Sequence, residues 1–138
     1  MNVLVLEDSE ERVKQFKLRF PTVNIVFTDV AEEAIKQLEN YEWDVLFLDH
    51  DLGGLVHVSS EEDNTGAGVA RFLDKHKERI PNLVIIHSLN PPGQSYIKSL
   101  LPSAVIIPFA WTNLTEIMLK EDRNIVDLKN LARVQSRR

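Results

Sequence analysis

The chain has 138 residues, 43% of them apolar and 27% charged, with 16 Lys and Arg against 21 Asp and Glu for a formal net charge of -5. That length suits one domain of the commonest size, about 100–150 residues, and the absence of cysteine excludes disulfides and thiolate metal ligands and fits a reducing cytosol. The acidic balance argues against unspecific adhesion to nucleic acid, no run approaches the ~20 apolar residues of a membrane span, and Met1-Asn2-Val3-Leu4 lacks the basic segment of a secretory signal, so a cytoplasmic protein without a membrane partner is expected.

The first apolar run, Val3-Leu4-Val5-Leu6, closes on Glu7-Asp8. A run this short, with no polar interruption, is what a strand covered on both faces requires, as in a parallel sheet between helices. Ser9 is the expected N-cap of the first helix, with Glu10 and Glu11 in its first turn and Val13, Phe16 and Phe20 as its buried stripe up to Pro21. A second strand over Val23–Phe27 leads to a helix that Asp29 and Glu32 are spaced to open as a capping box, with Val30, Ala34 and Leu38 inward.

The third strand, Asp44–Leu48, ends in Asp49-His50-Asp51-Leu52-Gly53-Gly54. From Leu52 to Asn64 the chain is irregular, which reads either as a lid or ligand loop or as a surface excursion. Thr65-Gly66 then opens a helix with Val69, Phe72, Leu73, His76 and Ile80 inward, stopped by Pro81. Leu83–His87 forms the fourth strand, and Asn90-Pro91 starts the fourth helix, because Asn caps free amides and Pro suits the first helical position. Its inward face is Ile97, Leu100 and Leu101. Ala104–Ile107 is the fifth strand, and a final helical pattern runs from Leu114 to Leu131 before a basic end, Arg133 to Arg138. With no repeat, low-complexity tract or linker, residues 1–138 read as a single domain.

Alternation of strands and helices puts the acids at the carboxyl ends of the strands, the edge at which open α/β sheets bind ligands. Glu7, Asp8, Asp49 and Asp51 crowded there would repel one another unless a proton or a hard divalent cation neutralised them. A cation site is therefore expected.

Two acids after the first strand, an Asp closing the third, and Pro108-Phe109 after the fifth resemble the receiver domain of bacterial response regulators over almost the whole chain. The resemblance implies an α/β fold of the (βα)5, flavodoxin-like kind with a parallel sheet in the order 2-1-3-4-5. It further implies Mg²⁺ (or Mn²⁺) on Glu7, Asp8, Asp49 and the backbone carbonyl of Asp51, with Asp49 as phosphoacceptor. One departure is chemical. The family's lysine precedes that proline, and here Ile107 stands there, without a charge for phosphoryl oxygens. At the fourth strand's end, either His87 or Ser88 takes the place of the family's Thr or Ser.

Leu48-Asp49-His50-Asp51-Leu52-Gly53 together with His87-Ser88-Leu89-Asn90-Pro91 is more similar to a divergent branch, the cyclic-phosphate-processing receiver-like domains. That resemblance implies action on the cyclic or terminal phosphates of RNA or nucleotides. Histidine titrates nearest neutrality, so Asp49, His50 and His87 are the candidate catalytic residues, the two histidines serving one phosphate as base and acid. Ser88, Asn90 and the helix starts at Thr65, Gly66 and Asn90 are candidates for holding its oxygens. Plainer roles stand beside these: helix solvation for the acid pair, core hydrogen bonding for both histidines, capping for Asn90. Trp43 reads as a packing anchor, His76 as part of a helix face, and His57 has no visible partner. The competing functions are a catalytically silent pseudo-receiver that binds a protein partner, and a receiver phosphorylated on Asp49.

Overall fold

Five parallel strands pair in the order β2-β1-β3-β4-β5, with β1 at Asn2–Leu6, β2 at Asn24–Thr28, β3 at Val45–Leu48, β4 at Leu83–Ile86 and β5 at Val105–Ile106. The expected α/β receiver-like architecture is the observed one. The computed structural model describes residues 2–19, 24–52 and 58–107. Expectations placed on Phe20, Pro21, Val23, Gly53-Gly54, His57, Pro108-Phe109, the final helix and the terminal arginines lie outside the described residues.

Because strand side chains alternate between faces, the sheet builds two cores. Leu4, Leu6, Leu46, Leu48, Val84 and Ile86 pack on one side with α2 (Ala31–Asn40), α3 (Gly66–Lys75) and α4 (Pro91–Leu100). Val3, Val5, Val45, Phe47, Leu83, Ile85, Val105 and Ile107 pack on the other with Phe16 of α1 (Glu10–Arg19). Burial of each such side chain stabilises the fold by roughly 1.5–3 kcal/mol.

The helix starts correct the sequence reading at one place. The Asp29–Glu32 capping box does not form. Val30 stands at the N-cap of α2 with no side-chain cap and is exposed rather than inward. Asn64 Oδ1, from the end of the irregular loop, accepts instead from the Ala31 amide at 2.9 Å. This remote cap ties the loop to α2, a long-range contact that local spacing cannot report. The third helix also ends earlier than expected, at Lys75, and His76 is exposed and stacked on Phe72. By contrast, Ser9, Thr65 and Asn90 accept from the amides of Arg12, Gly68 and Gly93 as N-caps should.

Candidate functional site

Sheet register builds the site. Leu6 pairs with Leu48 and Leu48 with Ile86, and hydrogen bonds carry this ladder one residue further, from Asp49 N to Leu6 O and from His87 N to Leu48 O. Glu7, Asp49 and His87 therefore form one row across three strand ends. All three continue the odd-numbered face, the side of α1, and His87 packs edge-on against Phe16 with ring centroids 5.5 Å apart. One ligand atom from each of the three lies within 4.8 Å of the others, and all three residues are buried. The same register puts His87, rather than Ser88, in this row.

Glu7 Oε1 accepts a hydrogen bond from His87 Nε2 at 3.1 Å, while Glu7 Oε2 accepts from the Ser9 amide at 3.2 Å. Arg12 of α1 approaches from the solvent side, its Nη1 3.4 Å from Glu7 Oε1 and 3.8 Å from Asp49 Oδ2. Burial by itself would raise the Glu7 pKa, but the hydrogen bond and charge of His87, the Ser9 amide and Arg12 outweigh it and hold the carboxyl down to about 2. Asp49 goes the other way. Burial, then the charge and hydrogen bond of the neighbouring Glu7, push it up to about 8 against the pull of Arg12. Two adjacent buried carboxyls thus avoid carrying two negative charges: Glu7 is ionised and Asp49 retains its proton near neutrality.

This arrangement fits a divalent cation. Two carboxylates and an imidazole converge, and a cation would displace the proton that Asp49 otherwise keeps. Glu7 and Asp49 would hold it. Asp8 is half-exposed, stands outside the convergent row and bears on it through its charge, which raises the Asp49 pKa further. The expected ligand from Asp51 is its backbone carbonyl; its side chain is engaged elsewhere, Oδ1 accepting from the Val58 amide and from Asn90 Nδ2, both at 3.0 Å.

His50 does not join His87. It follows Asp49 by one residue and so turns to the opposite side of the sheet, where it is fully buried. Its Nδ1 lies 2.8 Å from Asp51 Oδ1 and its Nε2 2.9 Å from Ser60 Oγ. The expectation that both histidines serve one phosphate is corrected by the two-residue period of a strand. His50 is instead the centre of a latch between the loop and α4, packed so closely on Gly93 that a Cβ there would stand 2.5 Å from the ring.

The expected phosphate ligands are similarly engaged. Thr65 Oγ1 accepts from Gly68 N and donates to Glu62 O. The Gly66 amide donates to His50 O at 3.1 Å. Ser88 Oγ accepts from the Asn90 amide, and Asn90 Oδ1 from that of Gly93. These groups shape the strand ends and helix starts around the row.

Ile107, at the position of the receiver lysine, is buried in the apolar cluster on the same face as the row. The residue that sequence reasoning missed is Arg12. A cation in the first turn of a helix opposes the macrodipole, and that local misfit was its one signal in the sequence.

The signal receiver domain of a protein described as a Luxo repressor from Vibrio parahaemolyticus superposes with a TM-score of 0.64 at 18% identity, covering 97% of this chain and 93% of that one. The response regulator TrrA from Thermotoga maritima, in complex with Mg²⁺-BeF, gives 0.60 at 21% over 86% and 96%. A CheY-like receiver domain protein from Methanospirillum hungatei JF-1 gives 0.59 at 13% over 94% and 95%. These likenesses carry the fold alone. No curated protein matches the chain. The family model of the cyclic-phosphate processing receiver domain matches residues 2–103, a span that holds Glu7, Arg12, Asp49 and His87 together; the chain belongs to that family.

Proposed function

We propose that this domain is a metal-assisted phosphoesterase acting on cyclic or terminal phosphates of nucleotides or RNA ends. The single observation that carries the reading is the convergence of Glu7, Asp49 and His87 within 4.8 Å at the carboxyl edge of the sheet. A divalent cation, Mg²⁺ or Mn²⁺, would polarise a phosphoryl oxygen and screen the anion from the carboxylates. Glu7 fixes the His87 ring through Nε2 and stabilises the imidazolium that forms when the ring takes a proton, as the carboxylate partner of a catalytic histidine does. In hydrolysis of a 2′,3′-cyclic phosphate, the oxygen of water bonds to phosphorus, one bond from phosphorus to a ribose oxygen breaks, and the proton taken from water ends on the released hydroxyl. His87 carries that proton.

Replacement of the receiver lysine by a buried Ile107 weighs against stable phosphorylation of Asp49, because the phosphoryl oxygens lose a cation just after β5. The test is turnover of a nucleoside 2′,3′-cyclic phosphate with Mg²⁺ or Mn²⁺, compared with Asp49→Asn and His87→Ala. Activity that requires the ion and collapses in both variants is expected. Absence of turnover across a panel of cyclic and terminal phosphates overturns the reading in favour of a silent, protein-binding module.

A further inference from the structure

Arg12 lies over the two acids of the row. Its side chain is 29% exposed, whereas those of Glu7 and Asp49 beneath it are 0% and 6% exposed. Its guanidinium spans both carboxylates at 3.4 and 3.8 Å, longer than the 2.7–2.9 Å of a tight charge-assisted pair. The cation in the first turn of α1 opposes the helix dipole, and the attraction of these two acids offsets that cost. A divalent ion on Glu7 and Asp49 would take away that attraction and leave a planar fork of donors, suited to phosphate oxygens, at the rim of the site.

We infer that Arg12 is an exchangeable clamp: it neutralises the acids while the cation is away, is displaced when the cation binds, and then holds the phosphate-type anion in the role that Ile107 cannot fill. The inference rests on the proposed cation site and adds to it a specific anion ligand and an order of events. Cation and anion binding are thereby coupled with positive sign, because the ion releases the group that the anion needs. The cation's own charge contributes to this coupling as well, so the part that belongs to Arg12 is the part lost when Arg12 is replaced.

The experiment measures Mn²⁺ binding by electron paramagnetic resonance and inorganic phosphate binding by calorimetry, in the wild-type chain, Arg12→Gln and Arg12→Lys. Arg12→Gln removes a competitor for the acids and a ligand for the anion. Its Mn²⁺ affinity is expected to rise, while phosphate affinity in saturating Mn²⁺ falls about 10- to 100-fold, the scale of a lost hydrogen bond to a charged group. Arg12→Lys, which keeps the charge, is expected to recover part of the phosphate affinity. In the wild type, phosphate binds more tightly with Mn²⁺ than without it. If Arg12→Gln weakens both ligands, or leaves phosphate unchanged, the clamp is overturned while the cation site survives. If the wild type takes up no Mn²⁺, the cation site itself fails, and the clamp with it.

Discussion

Glu7 Oε1 lies 3.1 Å from His87 Nε2, and neither side chain has any solvent exposure. The pair joins β1 to the end of β4 across the intervening β3, so one contact fixes both the imidazole orientation and the distance to Asp49. Glu7→Gln keeps a hydrogen-bonding group of similar shape and removes its charge. Activity on a cyclic phosphate is expected to fall by at least roughly 10-fold, because the neutral amide is a weaker ligand for the cation and no longer supports the charge on His87, with a smaller change in KM. Steady-state kinetics with Mn²⁺ held saturating checks this. An unchanged kcat would remove Glu7 from the mechanism.

The paired carboxyls make stability of the metal-free protein fall on both sides of a mildly acidic optimum. Glu7 is held down to about 2 from an ordinary 4.5, so the stability it contributes is complete above 4.5 and is lost as pH falls towards 2. Asp49 is pushed up to about 8 from 3.8; between those values the folded chain holds a proton that the unfolded chain has released, and stability declines as pH rises through the window. Urea unfolding between about pH 4.5 and pH 8 should show that alkaline decline. Asp49→Asn, which cannot ionise, should flatten it, and so should saturating Mn²⁺. A decline of the same slope in Asp49→Asn would assign it to other groups.

The contact between His50 and Gly93 predicts a measurable coupling. Gly93→Ala would place a Cβ 2.5 Å from His50 Cγ and 2.6 Å from Cδ2, and overpacking of this kind costs about 1–3 kcal/mol. His50→Ala leaves room for that methyl but removes the latch to Asp51 and Ser60, which costs a similar amount through unsatisfied partners. The double variant should therefore be less destabilised than the two single effects combined. Denaturant melts of the four proteins form the cycle, and strict additivity would mean that the ring and the glycine do not meet.

The strand order, both sheet faces and the position of the acids were legible because uninterrupted apolar runs ending in carboxylates are a local signal, and the receiver resemblance supplied the connectivity. The capping of α2 was not, since Asn64 reaches Ala31 from 33 residues away. The side taken by His50 is hidden for a different reason. Both histidines end strands, but parity sends 49 and 87 to one face and 50 to the other, and that count becomes decisive only when the register Leu48 with Ile86 is known. The role of Arg12 is not legible locally, because its partners at positions 7 and 49 meet only in the folded sheet.

Gly66 tests whether the geometry of Asp49 is set by the packing behind it. The amide of Gly66 donates to His50 O, and a Cβ at residue 66 would come within 2.2 Å of Asp49 O and 3.2 Å of His50 Cα. Those atoms belong to the backbone at the end of β3 and cannot rotate aside, so Gly66→Ala must either push α3 away or shift Asp49 within the row. Because α3 is packed through Ala67, Val69, Ala70 and Leu73, all buried, the smaller displacement is that of the strand end. Gly66→Ala is thus expected to cost about 1–3 kcal/mol of stability and to weaken Mn²⁺ binding, whereas Gly68→Ala, whose Cβ would meet Asp63 O at 2.0 Å, disturbs the loop before α3 and spares the ion. Matched losses of Mn²⁺ affinity in the two variants would show general damage to α3 rather than a specific hold on Asp49.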